Sequence, residues 1–326
     1  QLLVALRNAA PGTTILLADG TYPVTERLWI RTDGLTLRSR SGNRDRVIFD
    51  GSTGGPRDDM IVLQAVQDVT IADITVQHCR HYGILLYGDS DIQRPVIHNV
   101  KFHNIWTRAV KGTHPARIGD RSNHLHPRET LERIRPAGGV IRHCLFINDT
   151  KKTDAEDGFH GDYVTAIDMM GLKDWVIADN VFVGLRGLNG RGRGAIFVWV
   201  DSRGVVAERN LFVNCDRSIS FGNPSGDDDW HMTGGLVRNN VIVAGHFGGI
   251  EIIRTRNTVV CHNSVWSTNT REEAVAFIQQ NQNDTFFNNL LQGYFHQTGA
   301  RDQAGNIIGA LTGPLVNSLI SLLILK

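Results

Sequence analysis

Six polar side chains in the middle of this chain of 326 residues could transfer protons or neutralise a carboxylate: Lys111, His160, Tyr163, Asp168, Arg193 and Arg217. Lys, His and Tyr act as acids or bases when their surroundings shift the pKa. Arg neutralises a carboxylate through a planar fork of N–H donors. The set suits the removal of a proton beside a neutralised carboxylate. Its members are far apart in sequence, so the fold must assemble them.

Five further residues are candidates for binding a substrate that is both anionic and ring-shaped: Lys152, Arg186, Arg191, Trp199 and Glu251. Cations attract negative groups, and Trp offers a flat apolar face to a sugar ring. The expected partner is therefore an acidic polysaccharide or oligosaccharide. A net charge of +1 argues against nucleic acid as the partner, although the cations are unusual in kind, with 28 Arg and 6 Lys.

The elements that must position these residues are repeats of a short apolar strand, a polar turn and a second apolar strand. Eight copies lie between residues 69 and 291. The aligned turn position holds Asp73, Asn99, Cys144, Asn180, Asn210, Asn240, Asn263 and Asn289. The spacing runs from 23 residues (240 to 263) to 45 residues (99 to 144), and self-similarity on this scale predicts a solenoid.

A third apolar strand precedes each pair, so we expect three strands per coil, named A, B and C in chain order. Strands A, such as 83–88 and 194–200, alternate with a period of two rather than the period of a helix. The predicted fold is all-β, a parallel β-helix of about eight to ten coils. Asn at the turn between B and C is expected to adopt left-handed geometry and to bond the next Asn in a ladder.

One domain accommodates the whole chain. Residues 1–50 are expected to form an N-terminal cap and the first coils, and residues 51–326 continue the same β-helix. Function collects in variable connections. Four long inserts would wall a groove on the strand-A face, at 112–138, 149–162, 184–193 and 223–234.

The register of strand A predicts which side chains meet on that face. The inward residues Val110, Ile167, Ile196, Ile219 and Ile250 are taken as equivalent, so the next outward column is Lys111, Asp168, Phe197, Ser220 and Glu251. Lys111 and Asp168 should then lie on neighbouring rungs about 4.8 Å apart. The preceding outward column is expected to be a floor of small residues, namely Ala109, Ala166, Ala195, Ser218 and Gly249.

The opening ALRNAAPGTTILLADGTY (residues 5–22), followed by coils with an Asn turn, resembles the pectate-lyase-like right-handed parallel β-helix superfamily. It is most similar to polysaccharide lyases of the alginate-lyase and chondroitinase-B type. The resemblance implies a secreted or periplasmic glycan-degrading enzyme, a Lys or Arg base and, in some members, a bound Ca²⁺. The hard oxygen ligands for Ca²⁺ could come from Asp162, Asp168 and Glu251. The sequence does not establish Ca²⁺ as a cofactor.

For β-elimination, Arg193 and Arg217 are candidates to neutralise a uronate carboxylate, Lys111 or His160 to act as base, and Tyr163 or His160 to act as acid. Three alternatives stay open. The first is an inverting glycoside hydrolase that pairs Asp168 with Asp162 or Asp154. The second is a C5-epimerase, and the third is a non-catalytic carbohydrate-binding solenoid. Lys111 and Asp168 could also form only a cross-rung ion pair.

The two ends of the chain support expectations about its setting. The chain starts at Gln1 without Met, so a leader is expected to have been removed or to lie outside the given sequence, and targeting is not read from this end. The apolar tail 307–325 is interrupted by Pro314 and Asn317, which favours closing strands over a membrane span. We expect a monomer.

Overall fold

The chain folds into a right-handed parallel β-helix, as the repeat predicts. The computed structural model describes residues 1–53, 59–113, 128–150, 152–155, 159–225, 230–267, 273–297, 301–302 and 305–308, without the side chains of 128, 244–246, 297 and 301–302. Strands B form one stack of eleven strands, and strands A and C belong to a second sheet. The stack is one strand longer than the upper end of the expected eight to ten coils, because short strands at both ends also pair.

The strands fall into three series that follow the coil. Strands A are Leu28–Ile30, Ile61–Leu63, Tyr82–Leu86, Arg108–Gly112, Thr165–Met170, Ile196–Trp199, Glu273–Ile278 and Tyr294–Gln297. Strands B are Thr14–Leu17, Thr36–Ser39, Thr70–Ala72, Val96–His98, Val140–Arg142, Val176–Ala178, Val206–Glu208, Leu236–Arg238, Val259–Cys261, Thr285–Phe287 and Arg301–Asp302. Strands C are Gly20–Pro23, Val47–Asp50, Thr75–Gln77, Lys101–His103, Leu145–Ile147, Val181–Val183, Ser264–Ser267, Leu290–Gln292 and Ile307–Ile308.

Two long strands and a small sheet complete the coils. Leu211–Phe221 and Val241–Ile253 each run through the C and A positions without a break. Short strands between A and B form a third sheet, from Ser202–Arg203, Met232–Thr233 and Thr255–Arg256. Strand pairing is parallel throughout these sheets, so equivalent residues of successive coils lie one above another.

Stacked side chains fill the interior. Phe102, Phe146, Phe182 and Phe212 lie in four successive coils, with ring centroids 4.6 to 4.8 Å apart and ring planes within 7° of parallel. That separation matches the spacing of adjacent strands, about 4.8 Å, so each ring packs on its equivalent in the next coil. The four cysteines are buried, and none of them forms a disulfide within the described part of the chain.

The Asn ladder is present, but its register and its cause differ from the prediction. Val96 pairs with Val140, so Asn99 is level with His143 rather than with Cys144, and Asp73 is level with Asn99. The column that contains Asp73, Asn99 and His143 lies one position before the column of Cys144 and Asn180. Its residues adopt positive φ: Asp73, Asn99, His143, Asp179, Arg209, Asn239, His262 and Asn288. In each coil the ladder Asn therefore comes directly after the residue with left-handed geometry and does not adopt that geometry itself.

Each ladder side chain from Asn180 to Asn289 bonds both the backbone and the next side chain. The Asn210 Oδ1 accepts from the Asn180 backbone N–H at 3.0 Å and from the Asn180 Nδ2 at 3.1 Å. The Asn180 Nδ2 also donates to the Ile141 carbonyl at 3.0 Å. The ladder runs through Asn180, Asn210, Asn240, Asn263, Asn289 and Asn306. It satisfies buried polar groups in every coil that it crosses.

The expected outward floor of small residues is wrong. Ala109, Ala166 and Ala195 belong to the interior hydrophobic core together with the residues that follow them. The reason is a bulge near the start of strand A: the Ala166 and Ile167 N–H groups both donate to the Ala195 carbonyl, at 3.2 and 2.9 Å. Two consecutive side chains then point inward, and the outward position moves back to Arg108.

Two short helices lie outside the coils. Helix α1 (Leu2–Asn8) contacts the first strand A and buries Leu6. Helix α2 (Arg128–Ile134) lies in the predicted 112–138 insert. Parts of the inserts and the tail fall outside the described residues, at 114–127, 151, 156–158, 226–229 and 309–326. Within the described part of the chain, no helix is both long and apolar enough to cross a membrane.

Candidate active site

The register places the predicted charged column on the outer face of strand A. Lys111 pairs with Asp168, and Asp168 pairs with Phe197. Ser220 and Glu251 follow in the next two coils. Lys111, Asp168 and Phe197 are nearly inaccessible to solvent, so the middle of this face is buried rather than an open groove.

Asp168 is the centre of a buried charge cluster. Its Oδ2 accepts hydrogen bonds from the Arg108 Nε at 2.8 Å and the Lys111 Nζ at 2.9 Å, and its Oδ1 accepts from the Trp199 Nε1 at 3.2 Å. Burial alone raises the pKa of this carboxyl group, but the charges of Lys111 and Arg108 outweigh it and hold the pKa below its ordinary 3.8. Asp168 is therefore ionised at neutral pH.

The ion pair between Lys111 and Asp168 is thus present, and it bears on the role of Lys111. An ammonium group 2.9 Å from a buried carboxylate is stabilised in its charged form. A base must be neutral before it accepts a proton. The contact therefore favours an electrostatic role for Lys111 over proton abstraction.

Tyr163 completes the cluster from the loop before strand A. The Arg108 guanidinium lies 3.9 Å from the centroid of the Tyr163 ring and 5.3 Å from that of Tyr82. Burial, together with the charge of Asp168, raises the pKa of Tyr163 to about 12. Its hydroxyl group consequently keeps its proton at neutral pH, as an acid requires.

Arg193 lies beside this cluster at the edge of the buried face. Its guanidinium is 5.4 Å from the centroid of the Phe197 ring and 6.0 Å from that of Tyr163. Its Nη2 donates to the Asn223 Oδ1 at 3.0 Å. The Nε is buried and has no hydrogen-bond partner among the described residues. The fork thus keeps an unused donor in a partly desolvated place.

Arg217 and Glu251 form a second ion pair farther along the face. The two side chains meet through both oxygens and both terminal nitrogens at 2.9 Å, and each is 12% exposed. The Arg217 guanidinium also lies 4.4 Å from the Phe247 ring centroid. Burial raises the pKa of Glu251 above its ordinary 4.5, although Arg217 and Arg193 oppose the shift.

His160 and Asp162 belong to a loop that is tied to the 184–193 insert. His160 is exposed in a turn with φ 57°, and its ring makes no hydrogen bond with another described residue. Asp162 accepts hydrogen bonds from the Asn189 N–H at 2.9 Å and the Asn189 Nδ2 at 3.1 Å, and from the Arg191 N–H at 3.4 Å. Asp162 therefore shapes the insert.

The remaining candidates lie around these loops. Lys152 is buried and pairs with Asp154 at 3.0 Å. Arg186 pairs with the buried Asp216 at 3.2 Å and lines a polar cleft of about 450 Å³. The Arg191 side chain is exposed and forms no ion pair with another described residue. Of the three cations, Arg191 is the one most available to a ligand.

The residues proposed to bind Ca²⁺ do not fit that ion. The Asp168 oxygens accept from two cations and an indole, and the Asp162 oxygens accept from amide groups. Cationic partners repel a second cation. Across the described ranges, no group of three His, Cys, Asp or Glu side chains is placed to hold a metal ion.

Arg108 is the main residue that the sequence reasoning missed, together with Tyr82 and Asn223. Strict alternation places Arg108 inside, and the bulge turns it outward. The triplets Arg108–Val110, Thr165–Ile167 and Glu273–Val275 share a polar residue, an Ala and a β-branched residue. That pattern was the available signal for two consecutive inward positions.

Comparison with known proteins supports the fold. No protein-family model matches the sequence, and no curated protein matches it. Among solved structures, an alginate lyase from Paenibacillus sp. str. FPU-7 is 15% identical with a TM-score of 0.59, and the match covers 94% of each chain. An endo-xylogalacturonan hydrolase from Aspergillus tubingensis is 11% identical with a TM-score of 0.55, covering 94% of this chain and 90% of that one.

A third similar structure belongs to a larger protein. The Dettilon tailspike protein (gp208) is 11% identical with a TM-score of 0.55, and the match covers 94% of this chain and 62% of the tailspike chain. Identities this low establish a shared fold and leave the reaction to be argued from the site. The resemblance read from residues 5–22 and the Asn turns is confirmed at the level of the parallel β-helix.

Proposed function

We propose that this protein is a polysaccharide-active enzyme that cleaves a uronate-containing glycan by β-elimination on the outer face of strand A. The observation that carries the proposal is Arg193, a half-buried guanidinium among aromatic rings whose Nε has no partner among the described residues. A desolvated Arg with an unused donor suits a carboxylate. The similarity in fold to an alginate lyase supports the same substrate class.

In this proposal Arg193 binds and neutralises the uronate carboxylate, and Arg217, whose terminal nitrogens already bind Glu251, contributes only its positive charge nearby. Both guanidinium charges act on Glu251, so the two cations serve one region of the face. Neutralising the carboxylate stabilises the negative charge that develops when the C5 proton is removed. The Lys111–Arg108–Asp168 cluster beneath adds a positive field close to the same place.

The proton transfers fall to His160 and Tyr163. His160 is exposed and its ring makes no hydrogen bond with another described residue, so the imidazole is available to take the C5 proton. Tyr163 keeps its hydroxyl proton at neutral pH and can donate it to the leaving glycosidic oxygen. The C4–O bond breaks and a double bond forms between C4 and C5. The proton taken up by His160 is then transferred to the Tyr163 phenolate through solvent, which restores both residues.

The decisive experiment is a screen of alginate, polygalacturonate and glycosaminoglycans with two readouts. Elimination generates an unsaturated sugar that absorbs in the ultraviolet, together with new reducing ends. Hydrolysis generates reducing ends without that absorbance. Binding without either signal would indicate a carbohydrate-binding solenoid and would overturn the proposal.

Arg193→Gln tests the residue that carries the proposal. Loss of one donor that stabilises developing charge lowers kcat by about a hundredfold or more. Arg46→Gln is the matched control, because Arg46 is 66% exposed and lies on the turn before a strand C. Wild-type activity in Arg193→Gln would remove Arg193 from the mechanism. Unchanged activity with a metal chelator is also expected, since the Asp168 oxygens bond cations and the Asp162 oxygens bond amide groups.

One observation favours hydrolysis as a second candidate. Glu251 has a raised pKa, as a general acid needs, and the neighbouring charge of Glu273 contributes to that shift. Glu273 in turn accepts from His296 at 2.7 Å. This pair replaces the expected pairing of Asp168 with Asp162 or Asp154, whose oxygens already bond other groups. Reducing ends without ultraviolet absorbance, lost in Glu251→Gln, would select it.

A further inference from the structure

A group of aromatic and cationic side chains lies on the same outer face, toward the N-terminal end. In register, Trp29 pairs with Val62, Val62 with Leu85, and Leu85 with Lys111. Trp29 is thus four rungs from Asp168, about 19 Å along the axis at about 4.8 Å per rung. The site already described does not involve this part of the face.

Two parallel rings frame the group. Trp29 and Tyr87 have ring planes within 4° of parallel and centroids 5.9 Å apart, and both are half-buried. In the two coils after Trp29, the outward side chains of its register partners Val62 and Leu85 are buried although they do not belong to the interior core. The rings are therefore next to apolar side chains on the same outer face, and such a surface suits the apolar face of a sugar ring.

Arg31 adds a positioned cation. Its guanidinium carbon lies 4.1 Å from the centroid of the Trp29 ring, and its Nε donates to the Gln64 Oε1 at 2.9 Å. The side chain is exposed, and its terminal nitrogens donate to no other residue in the described part of the chain. A guanidinium held at Nε presents its outer edge as a fork for a carboxylate.

We propose that Trp29, Tyr87 and Arg31 form a distal subsite for one uronate residue of an acidic polysaccharide chain. The sugar ring packs against the Tyr87 ring, and its carboxylate binds the fork of Arg31, which Trp29 holds in place. The inference rests on the proposed function for its substrate class. It adds that the protein engages a chain long enough to reach from the Asp168 cluster across several coils, so longer substrates bind better.

The test measures binding and cleavage of uronate oligosaccharides of increasing length. Trp29→Ala and Tyr87→Ala are each expected to weaken binding of long oligosaccharides about 3- to 10-fold by calorimetry, with a matching rise in KM. The kcat on the shortest substrate that is cleaved should not change. Trp266→Ala is the matched control, since Trp266 is half-buried on a strand C of another face.

Arg31→Gln keeps the exposed position and is the variant least prone to unfold. It should weaken binding of the long uronate oligosaccharide by about tenfold or more, and leave binding of the same oligosaccharide with its carboxylates reduced to alcohols unchanged. Equal length dependence in wild type and all three variants would overturn the subsite while the cleavage proposal stands. Length-dependent binding that the variants lose, without any unsaturated product, would overturn elimination and support the subsite.

Discussion

Two carboxylates on one column of the outer face, the buried Asp168 and the largely buried Glu251, show opposite pKa shifts. They are three rungs apart, through Phe197 and Ser220. The pKa of Asp168 is lowered and that of Glu251 is raised. Both lose hydration on burial, and that loss favours the neutral form of each.

The number of charged partners accounts for the difference. Asp168 has two cations and an indole N–H, whereas Glu251 has one cation in direct contact and feels the negative charge of Glu273. One guanidinium does not offset burial here, and two cations do. Asp168 is thus suited to hold Lys111 and Arg108 in place, whereas Glu251 is the carboxyl group that can exchange a proton.

The largest expected effect follows from removing the charge of Asp168. Asp168→Asn leaves Lys111 and Arg108 buried without a counter-ion, and the free energy of unfolding should fall by about 3–5 kcal/mol. Urea denaturation at neutral pH measures the change. Glu251→Gln is the matched variant and should lose much less. Equal losses in both variants would contradict the proposed difference between the two carboxylates.

A smaller effect is expected when Asp168 is left with one cation. Arg108→Met should lower the free energy of unfolding by about 1–3 kcal/mol at neutral pH. In the wild type, the lowered pKa means that Asp168 contributes stability above its ordinary 3.8, which is lost as the pH falls through the folded-state value. That loss on acidification should shrink in the variant. Acid unfolding identical in the two proteins would exclude a role for the second cation.

The smallest expected effect concerns the pH dependence at Glu251. Its pKa in the folded protein is raised, so its contribution to stability is fully present below about 4.5 and is lost as the pH rises through the raised value. Glu251→Gln mimics the protonated form and should remove that loss. The free energy of unfolding of the variant should therefore increase relative to that of the wild type as the pH rises. A gain that appears only on acidification would reverse the assigned direction.

Alternation along strands predicted the contacts that depend on it. Counting by twos from Val110 and Ile167 placed Lys111 next to Asp168, and the two side chains meet at 2.9 Å. The same counting failed one residue earlier, at Ala109, because a bulge interrupts it. The predicted alignment of the Asn column was one residue out of register at Asp73 and Asn99. The reason is that the turns repeat a backbone conformation rather than a residue type.

The sequence by itself determined the solenoid, the inward or outward direction of most strand side chains, and the class of side chains on the outer face. These features follow from a local periodicity that is repeated in every coil. Only the tertiary structure decided that Arg108 turns outward, that Asp162 binds the neighbouring insert, and that Asp168 is buried. Those outcomes depend on bulge hydrogen bonds and on loops from other coils, and neither has a period that a single strand could reveal.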